Sequence, residues 1–175
     1  MNRREPGPSR PDGETRTLIL GLGNDLYGDD GVGIHIIRLL EEDATCRQEF
    51  TDCLAGADLL ASGLTGLALL DVIVDYDRLI IVDTIKRRRP LTGRIHVMDA
   101  ADLRDIPGPS PHYVSIPQTI TMGRQLGLRV PDRIQVIGVE AKNLYHLGEG
   151  LSEDMERAVP DILRSLQSIL SEGNP

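Results

Sequence analysis

The 175-residue sequence contains few of the residues that mark several large classes of protein. It has no tryptophan, one phenylalanine and four tyrosines, so it lacks the aromatic surfaces on which single-strand nucleic-acid-binding proteins stack bases. Its 27 acidic and 19 basic residues give a net charge of −8, which opposes binding to a phosphate backbone. No apolar run approaches the ~20 residues of a membrane span. We therefore expect neither nucleic acid nor membrane as a partner.

Cysteine and histidine are also scarce. Two cysteines, Cys46 and Cys53, cannot build a disulfide framework or a four-ligand zinc site. The sequence has no Gly-x-Ser-x-Gly, His-Glu-x-x-His or Cys-x-x-Cys motif. An Arg-Arg pair near the start is followed by proline and glycine instead of an apolar signal core, and we expect a cytoplasmic protein.

Hydrophobic periodicity divides the chain into one domain between two tails. Residues 1–16 have almost nothing to bury and are expected to form a disordered N-terminal tail, residues 17–171 a single domain, and residues 172–175 a short C-terminal tail. Short apolar or alternating runs predict strands, and amphipathic stretches predict helices. The predicted strands are 18–20, 49–54 (the weakest), 78–83, 93–98 and 133–139, and the predicted helices are 31–42, 63–75, 113–127 and 152–170.

The alternation of strands and helices predicts the fold class. It is typical of a three-layer α/β fold, with a mostly parallel central sheet of about five strands and helices on both faces. Ligands of such sheets bind outside the carboxyl ends of the strands. Functional residues should therefore follow the strands and not lie within them.

The densest cluster of polar and glycine residues follows the first predicted strand. Glycines stand at 21, 23, 28, 31 and 33, interleaved with Asp25, Asp29 and Asp30. A dinucleotide-binding fingerprint needs a third glycine where this chain has Leu26, and two acids at a helix start disfavour a pyrophosphate. The turn is therefore not expected to bind a nucleotide. The alternative interpretation of Asp29 and of Asp30 is structural: the side chain only caps the helix that follows.

Three residues follow strand ends and form a candidate metal site. Asp30 follows the first strand, Asp83 closes the strand at 78–83, and His112 lies in a proline-flanked loop after the next strand. Two carboxylates and one imidazole suit a divalent transition metal and leave positions open for water or substrate. The alternative for His112 is an ordinary loop histidine. The remaining histidines, which we expect to be structural or at the surface, are His35, His96 and His146.

These segments resemble the hydrogenase maturation endopeptidases. The opening glycine-rich motif, Gly21 to Gly33, matches that family's first motif, and further matches occur at 80–83, 110–112, 137–140 and 150–152. The resemblance covers about residues 17–171. It implies an α/β fold with a central, mostly parallel sheet. It also implies an enzyme, a monomer by analogy, that removes a C-terminal extension from the large-subunit precursor of a nickel-iron hydrogenase after nickel insertion.

The resemblance also implies roles for particular residues. The family's metal-contacting positions fall on Asp30, Asp83 and His112, and the nickel they contact arrives bound to the precursor. Some members have glutamate at the first position, so Asp30 is one methylene shorter. Because two of the three ligands are carboxylates, we expect the free enzyme to hold nickel only weakly.

Two other interpretations stay open at this point. A non-catalytic chaperone could bind nickel or the precursor with the same residues and leave the precursor uncut. Peptidyl-tRNA hydrolases also begin with Gly-Leu-Gly-Asn followed by a tyrosine, to which Tyr27 would correspond. They then continue with Thr-Arg-His-Asn, whereas residues 27–30 of this chain are Tyr-Gly-Asp-Asp. The basic run 86–89 is interpreted as a solvated loop, with partner binding as its alternative.

Overall fold

In the computed structural model, the described residues are 15–99, 102, 116–142, 144, 147, 148 and 150–172. They contain a five-stranded sheet in the order β2-β1-β3-β5-β4. The strands are β1 (Thr17–Leu22), β2 (Ala57–Ser62), β3 (Arg78–Ile85), β4 (Ile95–Asp99) and β5 (Arg133–Glu140). Only β4 runs antiparallel to its neighbour, so the predicted mostly parallel sheet is confirmed.

Helices cover both faces of this sheet, as the sequence predicts. They are α1 (Val32–Glu42), α2 (Ala44–Glu49), α3 (Leu70–Ile73), α4 (Ile116–Gln125) and α5 (Glu153–Ser171), with 3-10 turns at Gly28–Gly31 and Gly66–Leu69. Helices α1 and α5 pack on one face, and α3 and α4 pack on the other. Each central strand divides its side chains between the two layers: Ile80 and Val82 face α1 and α5, while Leu79 and Ile81 face the opposite side.

The strand order places a switch point at the carboxyl end of β1. From β1 the chain passes to β2 on one side, and it later returns to add β3 on the other side. Connections from the two sides of β1 therefore diverge there, and ligands bind at such a point in sheets of this kind. Asp30 follows β1 and Asp83 lies near the end of β3, so both belong to this edge.

Some predicted elements are wrong in position or extent. The strand at 49–54 does not form: α2 and a series of turns occupy that region, and the edge strand is β2, at 57–62. The helix predicted over 63–75 shrinks to a 3-10 turn and α3. Strand β3 continues two residues past Asp83 to Ile85, so Asp83 lies inside the strand and not after it.

The amino end of the sheet is fixed by arginine. Arg16, which the sequence assigned to the tail, donates its N–H to the carboxylate of Asp77 at 2.8 Å and stacks its guanidinium 4.7 Å from the ring centre of Tyr76. Arg78 is buried and donates to the side chain of Gln135 and to the carbonyl of Ile169 in the last turn of α5.

Within the described part of the chain, no helix has the length and apolar character to cross a membrane.

Candidate active site at the carboxyl edge of the sheet

Glycines let the β1–α1 connection lie directly on the strands. A Cβ atom at Gly21 would come within 2.1 Å of the carbonyl oxygen of Gly33, and one at Gly23, where φ is +147°, within 1.9 Å of that of Asp30. Only glycine adopts this backbone conformation readily, and only glycine fits so close an approach. The motif therefore holds the acidic turn Gly28–Gly31 against the end of β1.

Asp30 is held in this turn by a contact with β3. Its side chain is buried, at 7% exposure, and its Oδ1 accepts a 2.8 Å hydrogen bond from the hydroxyl of Thr84. Thr84 reaches it because alternate residues of a strand share a face, so Thr84 faces α1 together with Ile80 and Val82. The hydrogen bond thus links the first motif to the neighbouring central strand.

Asp83 is hydrogen-bonded to the same threonine. Its Oδ1 accepts from the backbone N–H of Thr84 at 2.7 Å, and both residues are fully buried. Each predicted carboxylate therefore has one oxygen fixed by Thr84. The metal site of Asp30, Asp83 and His112 stays a prediction, with two of its three residues hydrogen-bonded to Thr84.

Asp29 has a structural role, but a different one from the capping role considered above. Neither it nor Asp30 forms a side-chain cap of the following helices, since Tyr27 and Gly31 occupy the cap positions. Instead, Asp29 accepts hydrogen bonds from the backbone N–H and the hydroxyl of Ser152, at 2.8 and 3.0 Å. Ser152 also caps α5, because its hydroxyl oxygen accepts from the N–H of Met155.

The third predicted ligand, His112, lies outside the described residues, as does His146. Among the residues that the structure does describe, no group of three or more His, Cys, Asp and Glu side chains is arranged to hold a metal ion. His35 lies on α1, half-buried, where burial lowers its pKa against the opposing charge of Glu156. His96 lies on β4, as predicted.

Glu140, at the end of β5, anchors the loop that leads into β4. Its carboxylate accepts from the N–H of Leu91 at 2.7 Å and lies 2.8 Å from Nε2 of His96. Burial raises the pKa of Glu140, but the hydrogen bonds from Leu91 and His96, with the charges of His96 and Arg94, outweigh it and leave the pKa lowered. Glu140 therefore has a structural role at this end of the sheet.

This lowered pKa predicts a pH-dependent contribution to stability. A depressed carboxyl pKa stabilises the fold above the unfolded value of about 4.3, and this stabilisation is lost as the pH falls through the folded value. We expect Glu140→Gln to cost about 1.5–3 kcal/mol at pH 7 and much less at pH 3, measured by urea unfolding. Glu41→Gln, on the exposed side of α1, is the matched control. A Glu140→Gln penalty that stays constant from pH 7 to pH 3 would contradict this account.

Sequence reasoning missed the residues that hold the acids in place. Nothing in the local pattern marks Thr84, which is a β-branched residue in a buried strand and so has an ordinary packing explanation. Ser152 is the first residue of the helix predicted over 152–170, but its hydrogen bonds with Asp29 are formed across the fold. Both are contacts between residues far apart in the chain, which periodicity and spacing do not encode.

Comparison with known proteins gives a consistent result. A family model described as hydrogenase maturation protease matches residues 34–169. The hydrogenase 2 maturation protease of Escherichia coli is 28% identical over 165 residues, covering 90% of this chain and 92% of that protein. A putative hydrogenase maturation protease of Methanocaldococcus jannaschii is 29% identical over 161 residues, covering 89% and 94%.

Solved structures share the fold. The hydrogenase maturating endopeptidase HybD from E. coli superposes with a TM-score of 0.72 at 24% identity, covering 91% of this chain and 94% of that one. The [NiFe] hydrogenase maturation protease HybD from Thermococcus kodakarensis gives a TM-score of 0.65 at 23% identity, covering 89% and 99%. The three-layer arrangement of sheet and helices is therefore the arrangement of those proteins.

Proposed function

This chain belongs to the hydrogenase maturation protease family, and on that premise we propose that it removes the C-terminal extension of a nickel-loaded hydrogenase large-subunit precursor. The observation that carries the proposal is the pair of buried carboxylates, Asp30 and Asp83, held by Thr84 at the switch point of the sheet. Carboxylate oxygens are suitable ligands for a divalent cation, and this edge of the sheet is where a substrate that carries one would bind.

The nickel in this proposal is part of the substrate. Thiolates of the precursor hold it, and Asp30, Asp83 and His112 complete its coordination when the precursor docks. Coordination of the nickel in the docked complex then tests whether the metal has been inserted before the peptide bond is brought into position. A metal so placed has three ways to assist cleavage: as a template, as a Lewis acid on the peptide carbonyl, or by acidifying a bound water.

The donor set also predicts how the free protein behaves. Two carboxylates and one imidazole, with no thiolate, form a weak site for nickel compared with one that includes cysteine. We propose that the resting enzyme is a cytoplasmic monomer that carries little nickel of its own, so that metal arrives only with the precursor.

Incubation with a hydrogenase large-subunit precursor tests this function. The wild-type protein is mixed with nickel-loaded precursor and, separately, with the same precursor free of nickel, and the masses of the products are measured. Loss of a C-terminal peptide from the loaded precursor alone supports the proposal. Binding with an unchanged mass favours the chaperone alternative, and tight nickel in protein purified without added metal contradicts the assignment of nickel to the substrate.

The basic run 86–89 follows β3 directly, on the edge that carries Asp83, in a chain whose net charge is −8. Lys86, Arg88 and Arg89 are exposed. Local positive charge in an acidic protein steers an acidic partner and mainly affects association. We expect Arg88→Gln/Arg89→Gln to lower kcat/KM about tenfold at low ionic strength, leaving kcat unchanged and weakening the salt dependence. The control is Arg47→Gln/Arg157→Gln, which removes equal charge from exposed positions of α2 and α5. An equal effect in both double variants would rule out a local role.

A further inference from the structure

Thr84 is the residue through which the two acids of the candidate site are connected. It stands next to Asp83 in β3, and its backbone N–H donates to Asp83 Oδ1 at 2.7 Å. Its hydroxyl points to the other side of the strand and donates to Asp30 Oδ1 at 2.8 Å. Thr84 and Asp83 have no exposed surface, and Asp30 has 7%.

The direction of the second hydrogen bond follows from chemistry. An ionised carboxylate only accepts hydrogen bonds, so the Thr84 hydroxyl must be the donor. Hydrogen bonds to a charged acceptor are stronger than those between neutral groups, and the low-polarity surroundings increase the difference. The hydroxyl therefore restricts the rotation of the Asp30 side chain and fixes which of its oxygens faces β3.

This restriction matters because Asp30 belongs to a different element from Asp83. Asp30 lies in the turn Gly28–Gly31, whereas Asp83 lies within β3. The contact that connects the turn with β3 is the hydrogen bond between Thr84 and Asp30, which are 54 residues apart in the chain. Hydrogen bonds from neighbouring groups commonly set the orientation of metal-binding side chains, and their loss costs about 10–100-fold in affinity or activity. Thr84, which is hydrogen-bonded to both acids, is such a neighbouring group.

We propose that Thr84 is a positioning residue, whose hydroxyl orients the Asp30 carboxylate relative to Asp83 for contact with the nickel-bearing precursor. The inference rests on the proposed function, since it assigns Thr84 a part in the same site. It does not make Thr84 a catalytic residue, because Thr84 acts through the aspartates. The serine hydroxyl can make the same hydrogen bond, so the role requires a hydroxyl and not threonine itself.

Two pairs of side chains isolate the hydroxyl. Valine replaces the hydroxyl of threonine with a methyl group at nearly the same shape, and alanine lacks only the hydroxyl of serine. We expect Thr84→Val and Thr84→Ala to lower kcat/KM for nickel-loaded precursor about 10–100-fold, and Thr84→Ser to stay within about threefold of wild type. If the valine variant folds poorly, the serine and alanine variants provide the same comparison without the bulk of the γ-methyl group.

A second readout separates positioning from a general effect on the fold. Affinity for nickel-free precursor, measured by calorimetry, is expected to be unchanged in every Thr84 variant, because that complex does not use the aspartates as ligands. Thr119→Val is the matched control: Thr119 is also buried, and its hydroxyl donates to the carbonyl of Gly66, in the 3-10 turn Gly66–Leu69. This control should cleave as wild type does.

The outcomes distinguish the two proposals. If wild type leaves nickel-loaded precursor whole, the proposed function fails and the role of Thr84 fails with it. If wild type cleaves and Thr84→Val or Thr84→Ala matches Thr84→Ser, only the positioning role is overturned. It is also overturned if the hydroxyl-free variants lose affinity for nickel-free precursor in proportion to their loss of cleavage.

Discussion

Asp30→Asn and Asp83→Asn are each expected to lower kcat/KM for nickel-loaded precursor by about 10³-fold or more, equivalent to ~4 kcal/mol of transition-state stabilisation. Asparagine keeps the shape of aspartate and an oxygen that can accept from Thr84, so the hydrogen bonds at Oδ1 survive the change. What each substitution removes is the negative charge, and a neutral amide is a much poorer ligand for a transition metal. The measurement is the rate at which the C-terminal peptide is released, followed by mass.

The neighbouring residue supplies the control for this prediction. Asp29→Asn makes the same chemical change one position earlier, but Asp29 accepts from Ser152 and has a structural role. We expect it to lose about 1–2 kcal/mol of stability, because the amide nitrogen cannot accept from the Ser152 hydroxyl, while cleavage per folded molecule is retained. If Asp30→Asn and Asp29→Asn behave alike, the assignment of Asp30 to the site is wrong.

The largest expected loss of stability comes from Gly33→Ala. Gly33 lies in the first turn of α1, where alanine normally stabilises a helix by about 1 kcal/mol relative to glycine. Here a Cβ would stand 2.3 Å from the carbonyl oxygens of both Leu22 and Val82, which belong to adjacent strands. Backbone atoms of a central sheet cannot move away easily, so here we expect alanine to destabilise the fold instead of stabilising the helix. We expect a loss of about 4 kcal/mol or more and a fall in Tm of about 10 °C.

Gly63→Ala tests whether this loss is specific to the close approach. Gly63 is exposed, and its nearest neighbour for a new Cβ is the carbonyl oxygen of Gly23 at 3.4 Å, an ordinary contact distance. Its unfolding free energy should stay within about 0.5 kcal/mol of wild type. Calorimetry of both variants makes the comparison, and a Gly33→Ala protein as stable as wild type would show that α1 can move away from the sheet.

The central sheet was predictable because its strands are buried on both faces. Apolar runs such as 79–82 and 136–139 are recognisable without knowledge of their neighbours. The edge strand β2 was misplaced because it is only half-buried along its whole length and contains Asp58 and small residues, which weaken the pattern. In the segment 49–54, Phe50 lies in a turn and packs in the same hydrophobic core cluster as the residues of α1.

The site was predictable in part, for a related reason. Asp30 and Asp83 follow from the rule that ligands bind at the carboxyl ends of strands, and that rule needs only local sequence. Their connection through Thr84 required the register of β3 against the turn Gly28–Gly31, which local sequence does not contain. The same holds for the pairing of Glu140 with His96, which depends on β4 running antiparallel beside β5.

The contact between Asp29 and Ser152 spans 123 residues. The turn that carries Asp30 is completed by a group near the carboxyl terminus, and Gly148 contributes two further backbone hydrogen bonds to Leu26 and Gly28. During synthesis, therefore, the amino-terminal half emerges from the ribosome before the partners of its acidic turn exist. The acidic turn thus gains its last hydrogen-bond partners only after the segment that begins α5 has been translated.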